Sequence, residues 1–135
     1  PKEHSEILKI SNDERIRKFF YTQHFISIKE HLGFVERLKK DLRKKYCAIY
    51  YCGKFLGSVN FENKGQEVEF GFYVNPNIAG LGRVMEQISL FYAFCVMNSK
   101  KLILEVFCEN SKVINLHKKF GFIVYGEFYR VKRKF

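Results

Sequence analysis

The chain has 135 residues, 47% of them apolar and 17% aromatic, enough to bury about two thirds of the surface its unfolded form exposes. A core without disulfides or structural metal is therefore expected, and disorder is not. Twenty-four Lys and Arg against 14 Asp and Glu give a formal net charge of +10, a potential that draws in anions, whether nucleic acid or a polyphosphate ligand.

No apolar run approaches the ~20 residues of a membrane span, and Pro1-Lys2-Glu3-His4 lacks the apolar centre of a signal peptide. Cys47, Cys52, Cys95 and Cys108 match neither a zinc-knuckle spacing nor a compact disulfide framework. The expectation is a soluble cytoplasmic protein of one domain, 1–135, with reduced thiols and no metal.

Asn12 or Asp13 is placed to cap a first helix carrying Ile16, Phe19 and Phe20, and Ser27 with Glu30 forms a capping-box pattern opening a second. Ile28, Leu32, Val35, Leu38 and Leu42 keep helical spacing to about Arg43. Tyr46 to Tyr51 and Phe55 to Phe61 then read as strands joined by a turn at Cys52-Gly53-Lys54. A third strand, Glu67 to Val74, alternates so that Glu67, Glu69, Gly71 and Tyr73 share one face. Asn75-Pro76 turns the chain into a glycine-bearing loop, followed by a helix to about Met97 and a strand from Leu102 to Phe107. A further helix is opened by Asn110 and closed by Gly121 in the left-handed cap position. Strands at Phe122 to Tyr125 and Phe128 to Val131 complete the order ααβββαβαββ, a mixed α+β fold with a mostly antiparallel sheet.

Two segments carry chemistry. In Asn77-Ile78-Ala79-Gly80-Leu81-Gly82-Arg83 the glycines let backbone approach a ligand, and the free amides of the following helix start point at an anion. A bare G-x-G also serves turning alone. It is not a Walker loop, because no Gly-Lys-Ser/Thr follows, and Met85 stands where a dinucleotide fingerprint needs its third glycine. The second segment is Leu104-Glu105-Val106-Phe107-Cys108-Glu109-Asn110 with Leu116-His117-Lys118-Lys119-Phe120-Gly121-Phe122.

Together these segments resemble the GNAT superfamily of acetyltransferases, which pairs a Gln/Arg-x-x-Gly-x-Gly/Ala loop with a later strand, an Asn, an Ala-x-x-Leu-Tyr helix and a closing Gly-Phe. Asn77 takes the Gln/Arg place, Gly80 and Gly82 match, Asn110 matches, and Val113 stands for Ala. Leu116 is followed by His117 where Tyr is usual, and Gly121-Phe122 closes the pattern. The stretch Ile7 to Asp13 followed by Phe25 to Leu32 further resembles the acetyltransferases that modify the 4-amino group of a UDP-linked dideoxy altrosamine in pseudaminic acid synthesis, a step toward flagellin glycosylation. A Glu-His pair on the same helix also occurs in relatives that acetylate ribosomal-protein N-termini. Ile10-Ser11-Asn12 replaces the usual Trp-Arg-Asn, removing a guanidinium, and the family's first strand is expected to be missing, because little precedes Glu6.

The resemblance implies direct acetyl transfer from acetyl-CoA in a ternary complex, with the pyrophosphate held around Asn77, Ala79, Gly80, Leu81 and Gly82. It implies an oxyanion donor in the backbone amide near Val74, and Asn110 bonding the pantetheine arm, or simply capping its helix. Arg83 and Lys112 reach phosphate or are solvated charges. The amine must lose a proton before attack. Glu69 is the first choice of base, against a solvated strand carboxylate. His31 is the alternative base, a sugar contact, or a packed helix residue. His117 takes the place of the family's acid. An imidazolium, with a reference pKa near 6.5, gives up its proton more easily than a phenol near 10. The other reading is that His117 packs and water protonates the thiolate. Cys108 as an acyl carrier lacks an evident base. The rival from another class is a basic nucleic-acid-binding module ending in Arg130, Lys132, Arg133 and Lys134, though the spread of aromatics with apolar periodicity favours core over base stacking. Assembly as a homodimer is left open.

Overall fold

The computed structural model describes residues 2–18, 24–106 and 110–123. The chain opens with α1 (Lys2–Ser11) and a short α2 (Glu14–Arg17), then α3 (Ile28–Lys40). Next come strands β1 (Lys44–Tyr51), β2 (Lys54–Lys64) and β3 (Glu67–Val74). Helix α4 (Leu81–Phe91) runs on into a π-helical turn (Tyr92–Val96), followed by β4 (Lys101–Ile103) and α5 (Ser111–Lys119).

The N-terminal helices differ from the sequence expectation. Helix α1 was not anticipated; it buries Leu8, and Ser11 Oγ donates to Leu8 O at 3.2 Å across its last turn. Asp13, not Asn12, caps α2, its carboxylate accepting from Arg15 N. The Asn12 amide instead clamps Ile26, donating to its carbonyl and accepting from its N–H, both at 2.8 Å. This ties the end of α1 to the segment entering α3. Phe19 and Phe20 lie outside the described residues.

Ser27 caps α3 as expected, accepting from Glu30 N at 3.1 Å. The Glu30 carboxylate, however, meets His24 Nε2 at 3.0 Å. The helix stops at Lys40 and not near Arg43, because Asp41 takes an extended backbone and its carboxylate accepts from Arg43 N at 3.1 Å, a local bond that competes with another helical turn.

The sheet has the order β1-β2-β3-β4, antiparallel except between β3 and β4. Cys52 and Gly53, at φ 50 and 77, make the tight β1–β2 turn. The alternation read in β2 and β3 holds: Val59, Phe61, Val68 and Phe70 point to one side and form the core with Met85, Ala93 and Leu102. Helix α4 packs on that face. On the opposite face of β3, Tyr73 is covered by the N-terminal helices, hydrogen-bonded to Ser58 and Ser11, with Arg17 close by. Burial pushes its hydroxyl up to about 12.

Strand β4 is shorter than the expected Leu102 to Phe107. Its rungs with β3 are Glu67↔Lys101, Val68↔Leu102 and Glu69↔Ile103, after which 104–106 leave the sheet while β3 continues to Val74. Phe107 lies outside the described residues, as do Tyr125 and the strand expected at Phe128 to Val131; Phe122 and Ile123 are not in a strand. A helix, not a strand, precedes the β-meander.

Candidate functional site

Parting β3 and β4 opens a gap beside the upper half of β3. Asn75 N donates to Leu56 O at 2.7 Å, so residue 75 turns its main-chain groups toward β2. By strand alternation Val74, like Phe72 and Phe70, turns its N–H the other way, into the gap. Strand β2 is held close here: a Cβ on Gly57 would sit 2.2 Å from Tyr73 O.

Directly after Val74, Asn75 shapes the loop. Its side chain is buried, donating from Nδ2 to Phe55 O at 3.0 Å and accepting from Asn77 N at 3.0 Å. Gly80 occupies the N-cap of α4 in the left-handed region (φ 77, ψ 9) with no side-chain cap. The first amides of α4, at Leu81, Gly82 and Arg83, therefore have neither intrahelical partner nor cap and offer donors and a positive dipole end to an anion.

The two glycines act differently. Gly80 has open space where a Cβ would be, so its requirement is conformational. A Cβ on Gly82 would meet Leu116 Cδ2 at 3.1 Å, so this glycine lets α5 approach the start of α4 closely. Asn77, Ala79 and Arg83 are exposed around the loop. The Asn77 side chain accepts from Arg15 Nη2 at 3.1 Å, and Arg15 is also paired with Asp13 at 2.7 Å. Arg15, a cation beside the loop from 62 positions upstream, carried no local sequence signal.

Asn110 sits at the N-cap of α5 but makes no side-chain cap bond, which leaves its amide for a ligand. Lys112 is exposed on the first turn. Farther along the helix His117 is 6% exposed, its ring edge-on to Phe70, Phe72 and Phe122. Phe72 lies beyond the last β3–β4 rung, so His117 flanks the gap. Nδ1 hydrogen-bonds Glu86 Oε1 of α4 at 2.8 Å, a partner that sequence reading missed.

Glu69 and His31 are not gathered with His117. Glu69 shares the last rung with Ile103, and its carboxylate accepts from Lys64 Nζ at 2.8 Å. It stands five residues before Val74, about 17 Å along the strand, and on the face opposite Phe70 and Phe72. His31, half-buried on α3, has its Nε2 3.1 Å from His4 Nδ1. Burial, and then His4, lower it from its ordinary value. On the same side, burial lowers the Arg17 guanidinium while Tyr73 and Glu30 hold it up. Cys108 lies outside the described residues.

Among the described residues no three His, Cys, Asp or Glu gather to hold a metal, and no helix is long and apolar enough to cross a membrane. A cleft lined by Asn63, Gly65, Gln66, Asn98, Ser99 and Lys100 opens at the other end of β3, and its described wall holds no carboxylate or histidine.

The model of the acetyltransferase (GNAT) family matches residues 8–122. Acetyltransferase PseH of Campylobacter jejuni strain NCTC 11168 is 33% identical over 122 residues, spanning 90% of this chain and 77% of that protein. The strain 81-176 counterpart is 32% identical over the same shares. The crystal structure of the C. jejuni N-acetyltransferase PseH superimposes with a TM-score of 0.78 at 30% identity, covering 94% of this chain and 83% of that one. Its complex with acetyl coenzyme A gives 0.77 at 28% identity, with 94% and 84% covered. A Vibrio cholerae spermidine N-acetyltransferase in complex with CoA and spermine shares the fold, with a TM-score of 0.83 at 21% identity over 93% of this chain and 78% of that one.

Proposed function

The chain belongs to the GNAT acetyltransferase family and is an N-acetyltransferase with acetyl-CoA as donor, and we propose that its acceptor is the 4-amino group of a UDP-linked amino sugar of the pseudaminic acid route. The observation that carries this is the identity to C. jejuni acetyltransferase PseH over 90% of the chain. The charge of +10 supports it physically: a nucleotide diphosphate is drawn to such a surface, whereas a polyamine is repelled.

The uncapped amides of Leu81 and Gly82 hold the coenzyme pyrophosphate, with Arg83 and Lys112 as flanking cations and Asn77 and Ala79 shaping the loop. Asn110 bonds the pantetheine arm. The amine enters from the face covered by α1–α3 and attacks the thioester in a ternary complex, where proximity supplies much of the rate. Val74 N–H, turned into the gap, stabilises the oxyanion. His31, or Glu69 only through a chain of several waters along β3, receives the proton, and His117 on the opposite face of β3 protonates the departing thiolate.

The test is thiol release from acetyl-CoA with a UDP-linked 4-amino sugar, a ribosomal N-terminal peptide and spermidine as separate acceptors. Turnover on the sugar at least 100-fold above the others in kcat/KM is expected, about 3 kcal/mol of discrimination. Acetylation of peptide or polyamine alone overturns the sugar assignment.

A further inference from the structure

Glu86 has no surface exposure at all, and neither the mechanism nor the family pattern above uses it. It lies on α4 between Met85 and Ser89, both also fully buried. A carboxylate taken out of water this completely costs several kcal/mol unless it is well partnered, and an apolar side chain of similar volume packs there more cheaply. Both of its oxygens lie 2.8 Å from His117 Nδ1, with the hydrogen bond directed at Oε1, while Oε2 has no hydrogen-bond partner of its own. Among the described residues three aromatic rings, Phe70, Phe72 and Phe122, stand edge-on to the imidazole and give it no strong hydrogen-bond partner. Glu86 is thus the polar group that decides which way the ring is turned and which nitrogen carries the proton.

We propose that Glu86 is a positioning residue for acetyl transfer, holding Nδ1–H of His117 so that Nε2 is the nitrogen turned to the departing coenzyme sulfur. A carboxylate accepts only, so Nδ1 keeps its hydrogen throughout the cycle. When the tetrahedral intermediate collapses the C–S bond breaks, its electron pair stays on sulfur, and Nε2–H passes its proton there. This leaves CoA thiol and a neutral imidazole still anchored through Nδ1–H. The base that took the amine's proton releases it to water and Nε2 regains one from water, so both groups are reset and the cycle balances. A phenol at this position needs no such partner, having one hydroxyl and no tautomer; an imidazole does.

The inference rests on His117 acting as the acid in the reaction proposed above, and its experiment separates the two. Full-length protein labelled with 15N at histidine, without coenzyme, is compared with Glu86→Gln and Glu86→Met by two-bond 1H–15N correlation. Met fills similar volume with no carboxylate, should Gln fail to fold. The wild type is expected to show His117 protonated on Nδ1, and the variants a mixed or Nε2–H form. In steady state with acetyl-CoA and the UDP-linked 4-amino sugar, Glu86→Gln is expected to lose about 10- to 100-fold in kcat with KM for acetyl-CoA unchanged. Added to His117→Ala it should cost nothing further, as expected of residues that act as a unit. An unchanged tautomer in both variants, or losses that multiply in the double variant, overturns the proposal. The expected tautomer change in a wild type that acetylates none of the acceptors sinks the acetyl-transfer reading and leaves the orientation of His117 standing.

Discussion

Gly80 isolates the conformational part of the coenzyme loop. Its φ of 77 lies in the left-handed region, and a Cβ would touch nothing within 4 Å, so Gly80→Ala adds backbone strain and no clash. Alanine there costs about 1–2 kcal/mol. In a 135-residue chain that lowers Tm by roughly 3–7 °C if the loop keeps its shape. If the loop relaxes, the amides of Leu81 and Gly82 are re-aimed, and coenzyme binding must restore them at the same cost, a loss of about 5- to 30-fold in Kd. Asparagine tolerates this region better than alanine, so Tm and affinity should both rank Gly, then Asn, then Ala. Calorimetric titration with CoA beside thermal melts reads both quantities. Alanine binding CoA like the wild type at unchanged Tm would refute the reasoning, and equal losses for Ala and Asn at unchanged Tm would mean the side chain blocks the ligand.

Three further outcomes follow from particular contacts. Phe61, 1% exposed and stacked on Tyr92 at 5.0 Å, should cost about 3–5 kcal/mol when truncated to Ala, read from denaturant melts; a loss under 1 kcal/mol would contradict the core described. Asn110→Ala should raise KM for acetyl-CoA about fivefold, one hydrogen bond's worth, with little change in Tm; a fall of about 1 kcal/mol in stability with KM unchanged would return Asn110 to a plain helix cap. His31 is held below its ordinary value by burial and then by His4, so folding disfavours its imidazolium. That stability is present at neutral pH and is lost as pH falls below about 6.5. Melts at pH 7 and pH 5 should show a smaller difference in His31→Gln than in the wild type, and an equal or larger one contradicts the placement.

Strands β2 and β3, the loop at Gly80 and the cap at Ser27 were legible because each depends on local pattern: period-two alternation, glycine where φ is positive, a hydroxyl three residues before a glutamate. Helix α1 was not, since among its described side chains Leu8 is the single buried apolar one and the tie that fixes its end, Asn12 to Ile26, crosses 14 positions. The departure of β4 after Ile103 is a pairing outcome that apolar content does not reveal. Glu69 looked suited to the groove from its strand face, yet alternation does not show Lys64 on its carboxylate. Glu86 was invisible for the strongest reason: hydropathy assigns a carboxylate on a helix to water, and only the packing of α4 on α5 brings it to His117, 31 positions away.

Acetyl transfer as proposed depends on backbone amides at the start of α4 receiving the coenzyme pyrophosphate. A 1H–15N titration of the labelled protein compares CoA with pantetheine, which lacks the diphosphate. Large saturable shifts of the Leu81 and Gly82 amides are expected with CoA, and little movement of them with pantetheine. Saturating CoA that leaves both amides unmoved would contradict this placement of the pyrophosphate.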